Sequence, residues 1–211
     1  MPEKKVTITV NAANLDLEGC LELPTVKHAV PGVVLCHPHP LYGGNMDNNV
    51  VIAVTRGLSE RGIASLRFNF RGVGRSEGAF AEGVGERDDT EAALSFLLEC
   101  EEIAPEHIGL VGYSFGGLVA LPVGANSSLV KALAAISPVI PADFRWEKEK
   151  PQLILWGTED MMVPLPTEEQ REKMARFAWL EVISGADHFW WGFEDRVSAL
   201  VGDFLKEHLG A

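Results

Sequence analysis

The chain predicts an α/β fold: a mostly parallel sheet of about eight strands, opened by an antiparallel N-terminal ribbon, with helices on both faces. Three observations carry this. Short apolar runs without polar alternation recur along the chain, as in strands buried on both faces. Segments of helical length and pattern separate them. No repeat, low-complexity tract or long Gly/Ser linker interrupts the alternation, so residues 1–211 read as a single domain.

The elements follow in order. "KKVTITV" and "LEGCLELP" form the ribbon, with Thr7 and Thr9 alternating with Val6, Ile8 and Val10. The apolar runs are then "GVVLC", "ASLRFNF", "IGLVGY", "ALAAIS", "QLILWG" and "LEVIS". Between them "NNVVIAVTRGLSERG", "DDTEAALSFLLEC", "TEEQREKMARFA" and "FEDRVSALVGDFLKEHL" read as helices. In such sheets ligands bind in the loops at the carboxyl ends of the strands, so chemistry is expected there.

Composition narrows the class. With 46% hydrophobic residues in 211, a chain of this size buries roughly 70% of its unfolded surface and needs no staples. Cys20, Cys36 and Cys100 are an odd set without CxxC spacing, which suits a reducing compartment, hence the cytoplasm. The start "MPEKKVTITVNAANLDLEG" has no apolar core of a signal peptide. A formal charge of −12 argues against nucleic acid and anionic membrane as partners. "ERDDTE" and "PTEEQREK" read as helix starts, where carboxylates meet the positive end of the dipole. From Ile108 to Val130 no residue is charged, which is long enough to suggest a membrane helix, but its glycines, Pro122 and Asn126-Ser127-Ser128 favour a buried strand turning into a buried helix.

Three loops can carry chemistry. In "GLVGYSFGG", Gly112-x-Ser114-x-Gly116 lies between an apolar strand and a small-residue helix, where a sharply turned serine needs neighbours without bulk. In "LILWGTEDMMVP", Glu159 and Asp160 end a strand; Asp160, just before the apolar turn, is the preferred partner for a histidine and Glu159 the fallback. In "EVISGADHFWWG", His188 follows the last strand, with Asp187 bracing the loop. His28, His107 and His208 fall before strands or in the last helix and read as surface residues. The order Ser114, Asp160, His188 is that of one particular hydrolytic fold.

A fourth stretch, "CHPHPLYGGNMDNN", poses a choice between a metal clip and a backbone device. His37 and His39 supply two ligands where zinc needs three or four, and no HExxH or CxxC lies nearby. A backbone device needs one N–H, and between Pro38 and Pro40 only His39 has one. The backbone reading is preferred, with no metal and no cofactor expected.

Over nearly its whole length the chain resembles the α/β-hydrolases: "GYSFGG", "GTEDMMVP" and "GADHFWWG" match the nucleophile, acid and histidine loops. "CHPHPLYGGNMDNN" stands where the family has its oxyanion loop, and "RFNFRGVGRSEG" matches the loop after the next strand. It is most similar to small bacterial hydrolases related to dienelactone hydrolases and carboxylesterases, although Ser114 stands where dienelactone hydrolases proper have cysteine. The resemblance implies a serine hydrolase of carboxylic esters: Ser114 as nucleophile, His188 as base and then acid, Asp160 orienting it, and the amides of His39 and Phe115 holding the oxyanion. Only about a dozen residues separate "ALAAIS" from "QLILWG", so no lid domain is expected and small soluble esters are the implied substrates. Leu41, Tyr42, Phe115, Phe189, Trp190 and Trp191 are candidate linings of an acyl site, with anchoring of the last helix the alternative for the tryptophans.

A thioesterase, small-peptide hydrolase or perhydrolase would carry the same residues. A non-catalytic binding protein of the same fold would have no need of all three. Gly72-x-Gly74 suggests a dinucleotide phosphate loop but lacks the third glycine and opens no helix. The sequence leaves a homodimer open.

Overall fold

The computed structural model of the chain describes residues 3–26, 28–141, 144–146 and 149–210. Eight strands form one sheet: β1 (Glu3–Val10), β2 (Leu15–Glu22), β3 (Val30–Cys36), β4 (Ala64–Phe68), β5 (Ile103–Tyr113), β6 (Val130–Ile136), β7 (Gln152–Gly157) and β8 (Trp179–Ile183). Their spatial order is β1-β2-β4-β3-β5-β6-β7-β8. β2 runs antiparallel to both β1 and β4; every other pairing is parallel. All eight expected strands are present, and the ribbon is antiparallel as its alternation required.

Among the described residues five α-helices flank the sheet, four between strands and the last after β8: α1 (Asn49–Ser59), α2 (Gly85–Leu98), α3 (Phe115–Asn126), α4 (Glu168–Met174) and α5 (Glu194–Leu209). Two main cores result. On one face α2 and α3 bury Leu94, Leu97, Val119 and Val123 against Val34, Leu66 and Leu110. On the other, α1 and α5 bury Val54, Leu58, Val201 and Leu205 against Val33, Leu35 and Val111. Residues alternating along β3 and β5 thus point to opposite cores, which is why these strands read as continuous apolar runs. Asn48 caps α1 by accepting from the Val50 amide at 3.0 Å. At α4, Thr167 and Gln170 close a reciprocal capping box.

Two expectations change. β8 does not share the two-sided burial of the other runs: it is the sheet edge, none of its residues is fully buried, and Trp179 is 55% exposed. The "TEEQREKMARFA" helix stops at Met174. The uncharged stretch from Ile108 to Val130 is the end of β5, a tight turn and α3, and no helix among the described residues is long and apolar enough to cross a membrane. Between β6 and β7 the described residues hold no helix and no lid; residues 142, 143, 147 and 148 of that link lie outside the described set.

Candidate active site

The loops that follow β3, β4, β5, β6, β7 and β8 converge at the carboxyl edge of the sheet, and the last residue of β5 leads into the centre of the site. Ser114 sits at φ +56°, ψ −115°, between β5 and α3. This region is costly for a side chain, on the order of 1–3 kcal/mol, and persists because the surroundings hold it. The Ser114 amide donates to the Ile136 carbonyl at 2.9 Å, and the turn packs too closely for bulk. A Cβ on Gly112 would lie 2.3 Å from the Gly116 carbonyl oxygen, and one on Gly116 would lie 2.1 Å from that of Cys36. The glycines flanking the serine are therefore steric requirements of the turn.

The structure brings the three expected residues together. The Ser114 hydroxyl lies 3.0 Å from His188 Nε2, and His188 Nδ1 lies 2.8 Å from Asp160 Oδ2. All three are buried. Asp160 Oδ1 accepts from the amides of Met162 (3.0 Å) and Val163 (2.8 Å), so the carboxylate is fixed on both oxygens. Burial by itself would raise the Asp160 carboxyl. The bonds from His188, the Val163 amide and the Ser137 hydroxyl outweigh it and hold the group below the usual carboxylate range. An ionised Asp160 keeps the His188 proton on Nδ1 and leaves Nε2 free to accept from Ser114, an arrangement able to draw a proton off the hydroxyl. Glu159, the fallback acid, is exposed and makes no side-chain bond among the described residues.

Tyr113 and Trp190 hold the histidine loop. The Tyr113 hydroxyl donates to the His188 carbonyl at 2.5 Å, and burial raises its pKa, keeping it a donor. Asp187 Oδ1 accepts from the amides of Phe189 and Trp190, both at 2.9 Å, and so braces the loop. Trp190, at φ +60° and fully buried, donates from its indole to the Ser137 hydroxyl at 3.2 Å.

The histidine pair divides its labour. His37 is fully buried; its Nε2 accepts from the Phe70 amide at 3.1 Å, which leaves the proton on Nδ1 to donate to the Pro38 carbonyl at 2.6 Å. Both ring nitrogens are thus spent on the backbone, and burial lowers its pKa to about 4. His39 Nδ1 accepts from the Leu41 amide at 3.2 Å and caps the short 3-10 turn Pro40–Tyr42. The backbone amides of His39 and Phe115 find no acceptor among the described residues.

Beside Ser114 and His188 opens a cavity of about 500 Å³. Of the candidate lining residues, Tyr42, Phe115 and Phe189 face it. Leu41, Trp190 and Trp191 do not. Leu41 and Trp191 point to solvent, 68% and 66% exposed, and Trp190 is turned into the core beneath α5. For Trp190 the anchoring alternative holds: the positive φ swings its ring away from the mouth. Phe80, Leu118, Val139, Met162 and Val163 complete the apolar lining, and none of these was singled out from sequence.

A parallel sheet with an antiparallel ribbon, a strained serine between strand and helix, and acid and histidine on later loops in that order define an α/β hydrolase. The sequence profile of the family described as X-Pro dipeptidyl-peptidase (S15 family) matches residues 16–178, and the chain belongs to that family. An uncharacterized protein of Rickettsia prowazekii is 32% identical over 203 residues, covering 90% of this chain and 84% of that protein. Three further curated relatives match more distantly, and the chain spans 45%, 46% and 48% of their lengths. Among solved structures, an α/β serine hydrolase homologue from Coxiella burnetii superposes with a TM-score of 0.84 at 30% identity, covering 96% of this chain and 97% of that one. A serine hydrolase without a lid from Xanthomonas campestris gives 0.83 at 29%, covering 100% and 98%.

Proposed function

We propose that the protein is a serine hydrolase of small, soluble carboxylic esters, acting through an acyl-enzyme. The observation that carries this is the continuous hydrogen-bonded chain Ser114–His188–Asp160 at the mouth of an apolar cavity. Ser114 attacks the ester carbonyl as His188 Nε2 takes its proton; the same ring then returns the proton to the departing alkoxide. Water deacylates by the reverse use of His188. The amides of His39 and Phe115 receive the negative charge on the tetrahedral oxygen, and neither has an acceptor among the described residues to give up. The charge of −12 and the absence of a lid among the described residues favour soluble substrates over a membrane surface or nucleic acid.

The family description favours a second reading, a small-peptide hydrolase that releases dipeptides. Such an enzyme must hold a free α-amine, which calls for a carboxylate facing the cavity. Among the described residues Glu82 is the one carboxylate lining it, and its side chain is exposed. The apolar remainder suits an uncharged ester better.

A fluorophosphonate tests the reading. Intact-mass analysis is expected to show one adduct on the wild type and none on Ser114→Ala, with kcat for ester hydrolysis falling on the order of 10⁵–10⁶ in that variant. An unlabelled wild type, or an adduct on another serine, removes the claim. Faster turnover of X-Pro amides than of ester panels would select the peptidase instead.

A further inference from the structure

We propose that the cavity beside Ser114 selects esters carrying an aromatic ring, a specificity that rests on the esterase reading of the site. One wall of the cavity is a connected group of four rings. The His39 ring lies 4.7 Å from Tyr42, 5.0 Å from Phe80 and 4.9 Å from Phe115, and Phe80 lies 5.5 Å from Phe115. All four line the cavity, and the mutual tilts of 40–52° present both faces and edges to it. Aromatic pairs with centroids about 4.5–7 Å apart gain from quadrupole alignment in tilted and edge-to-face geometries, beyond the area they bury. A planar ring entering this space meets partners able to repeat that geometry, whereas a saturated ring of the same outline gains only the burial. Met162 and Phe189 add a thioether and another ring to the lining.

The wall is built before any ligand arrives. Phe80 rides on a loop pinned by Glu86, a fully buried carboxylate that accepts from the amides of Ala81 and Gly83, both at 2.8 Å. Behind the loop, the Arg71 guanidinium and amide clasp buried Asp89 through bonds of 2.7–3.1 Å. His39 is fixed from the other side through Leu41, and Phe115 by the first turn of α3. Two buried acids thus have a purpose that the hydrolytic step does not require: they set the position of the Phe80 ring. A preformed wall discriminates better than one that must order itself on binding.

The experiment compares kcat/KM for esters whose other half has no ring, so that one ring is tested at a time. On the acyl side the set is methyl 3-phenylpropionate, methyl 3-cyclohexylpropionate and methyl nonanoate. On the alcohol side it is benzyl, cyclohexylmethyl and heptyl acetate. Acid release is followed by titration. In one of the two sets the phenyl ester is expected to exceed the cyclohexyl ester by about two- to tenfold. That ratio should fall to near one in Phe80→Leu; Tyr42→Leu, at an exposed position, serves if the first variant loses its fold by circular dichroism. Cyclohexyl esters equal to or better than phenyl in both sets would overturn the proposal while a fluorophosphonate-labelled Ser114 left the esterase reading intact. A phenyl preference surviving both substitutions would remove these rings as its source. Failure of labelling would sink both.

Discussion

His37 makes the fold sensitive to acid in a definable window. Its ring accepts the Phe70 amide on Nε2 and donates from Nδ1 to Pro38, tying the loop after β3 to the loop after β4. A second proton would set two N–H groups against each other in a site without water access. Burial accordingly lowers the pKa from 6.5 to about 4. The sign follows from proton binding: between those values the unfolded chain takes up a proton that the folded chain refuses, so stability falls as pH falls. The contribution is complete above pH 6.5 and lost on descent to about 4, amounting to about 3 kcal/mol at roughly 1.4 kcal/mol per pH unit. Urea unfolding followed by tryptophan fluorescence at steps from pH 7.5 to 4 measures it. Carboxylates and other histidines add their own slope, so the comparison is with His37→Gln, which keeps an acceptor for Phe70 but cannot titrate. That variant should be less stable at pH 7 by about 1–2 kcal/mol, for the lost bond to Pro38. Its deficit should shrink as the pH falls and reverse before pH 4. A constant gap between the two proteins across the range would refute the reasoning.

Other perturbations test the site itself. Asp160→Asn should lower kcat by about 10⁴, while Glu159→Gln, at an exposed side chain, should stay near wild type; the opposite order would reassign the acid. His39→Ala keeps the amide and is expected to stay within about one order of magnitude in activity. His39→Pro deletes the N–H and should cost about 10²–10³ in kcat, with circular dichroism confirming the fold. Prolonged chelation should leave activity intact; loss restored by zinc would revive the metal reading of His37 and His39. With straight-chain acyl esters, activity should peak between about C2 and C6 without a jump at a lipid interface, because the described residues between β6 and β7 supply no lid. A steady climb to long chains would contradict this.

What the sequence disclosed follows from which constraints are local. The turn around Ser114 was legible because no residue but glycine clears the carbonyls of Cys36 and Gly116 at those positions. The strands were legible because a central strand of a covered sheet must be apolar on both faces. β8 broke that rule: "LEVIS" has the composition of a buried strand, but being an edge depends on how many strands follow it, which no local pattern records. Likewise Phe189, Trp190 and Trp191 are equivalent as letters. Yet Phe189 lines the cavity, Trp190, at a positive φ, lies in the core, and Trp191 faces solvent.

The acids of α2 mark the boundary more sharply. "ERDDTE" reads as a helix start, and α2 does open there, with Glu86 and Asp88 in its first turn. Glu86 and Asp89, however, are fully buried. Continued backward from Ala93, Leu94 and Leu97, the apolar stripe of α2 lands at intervals of three and four on Thr90, Asp89 and Glu86. Helical periodicity therefore already placed these two carboxylates on the inner face, where a charge has to find partners. Their partners lie in the "RGVGRSEGAFAEG" loop, as Arg71 and two backbone amides. An acid on the apolar side of a helix next to a cavity loop is thus a readable sign of a positioned loop, and here the ring it positions is Phe80.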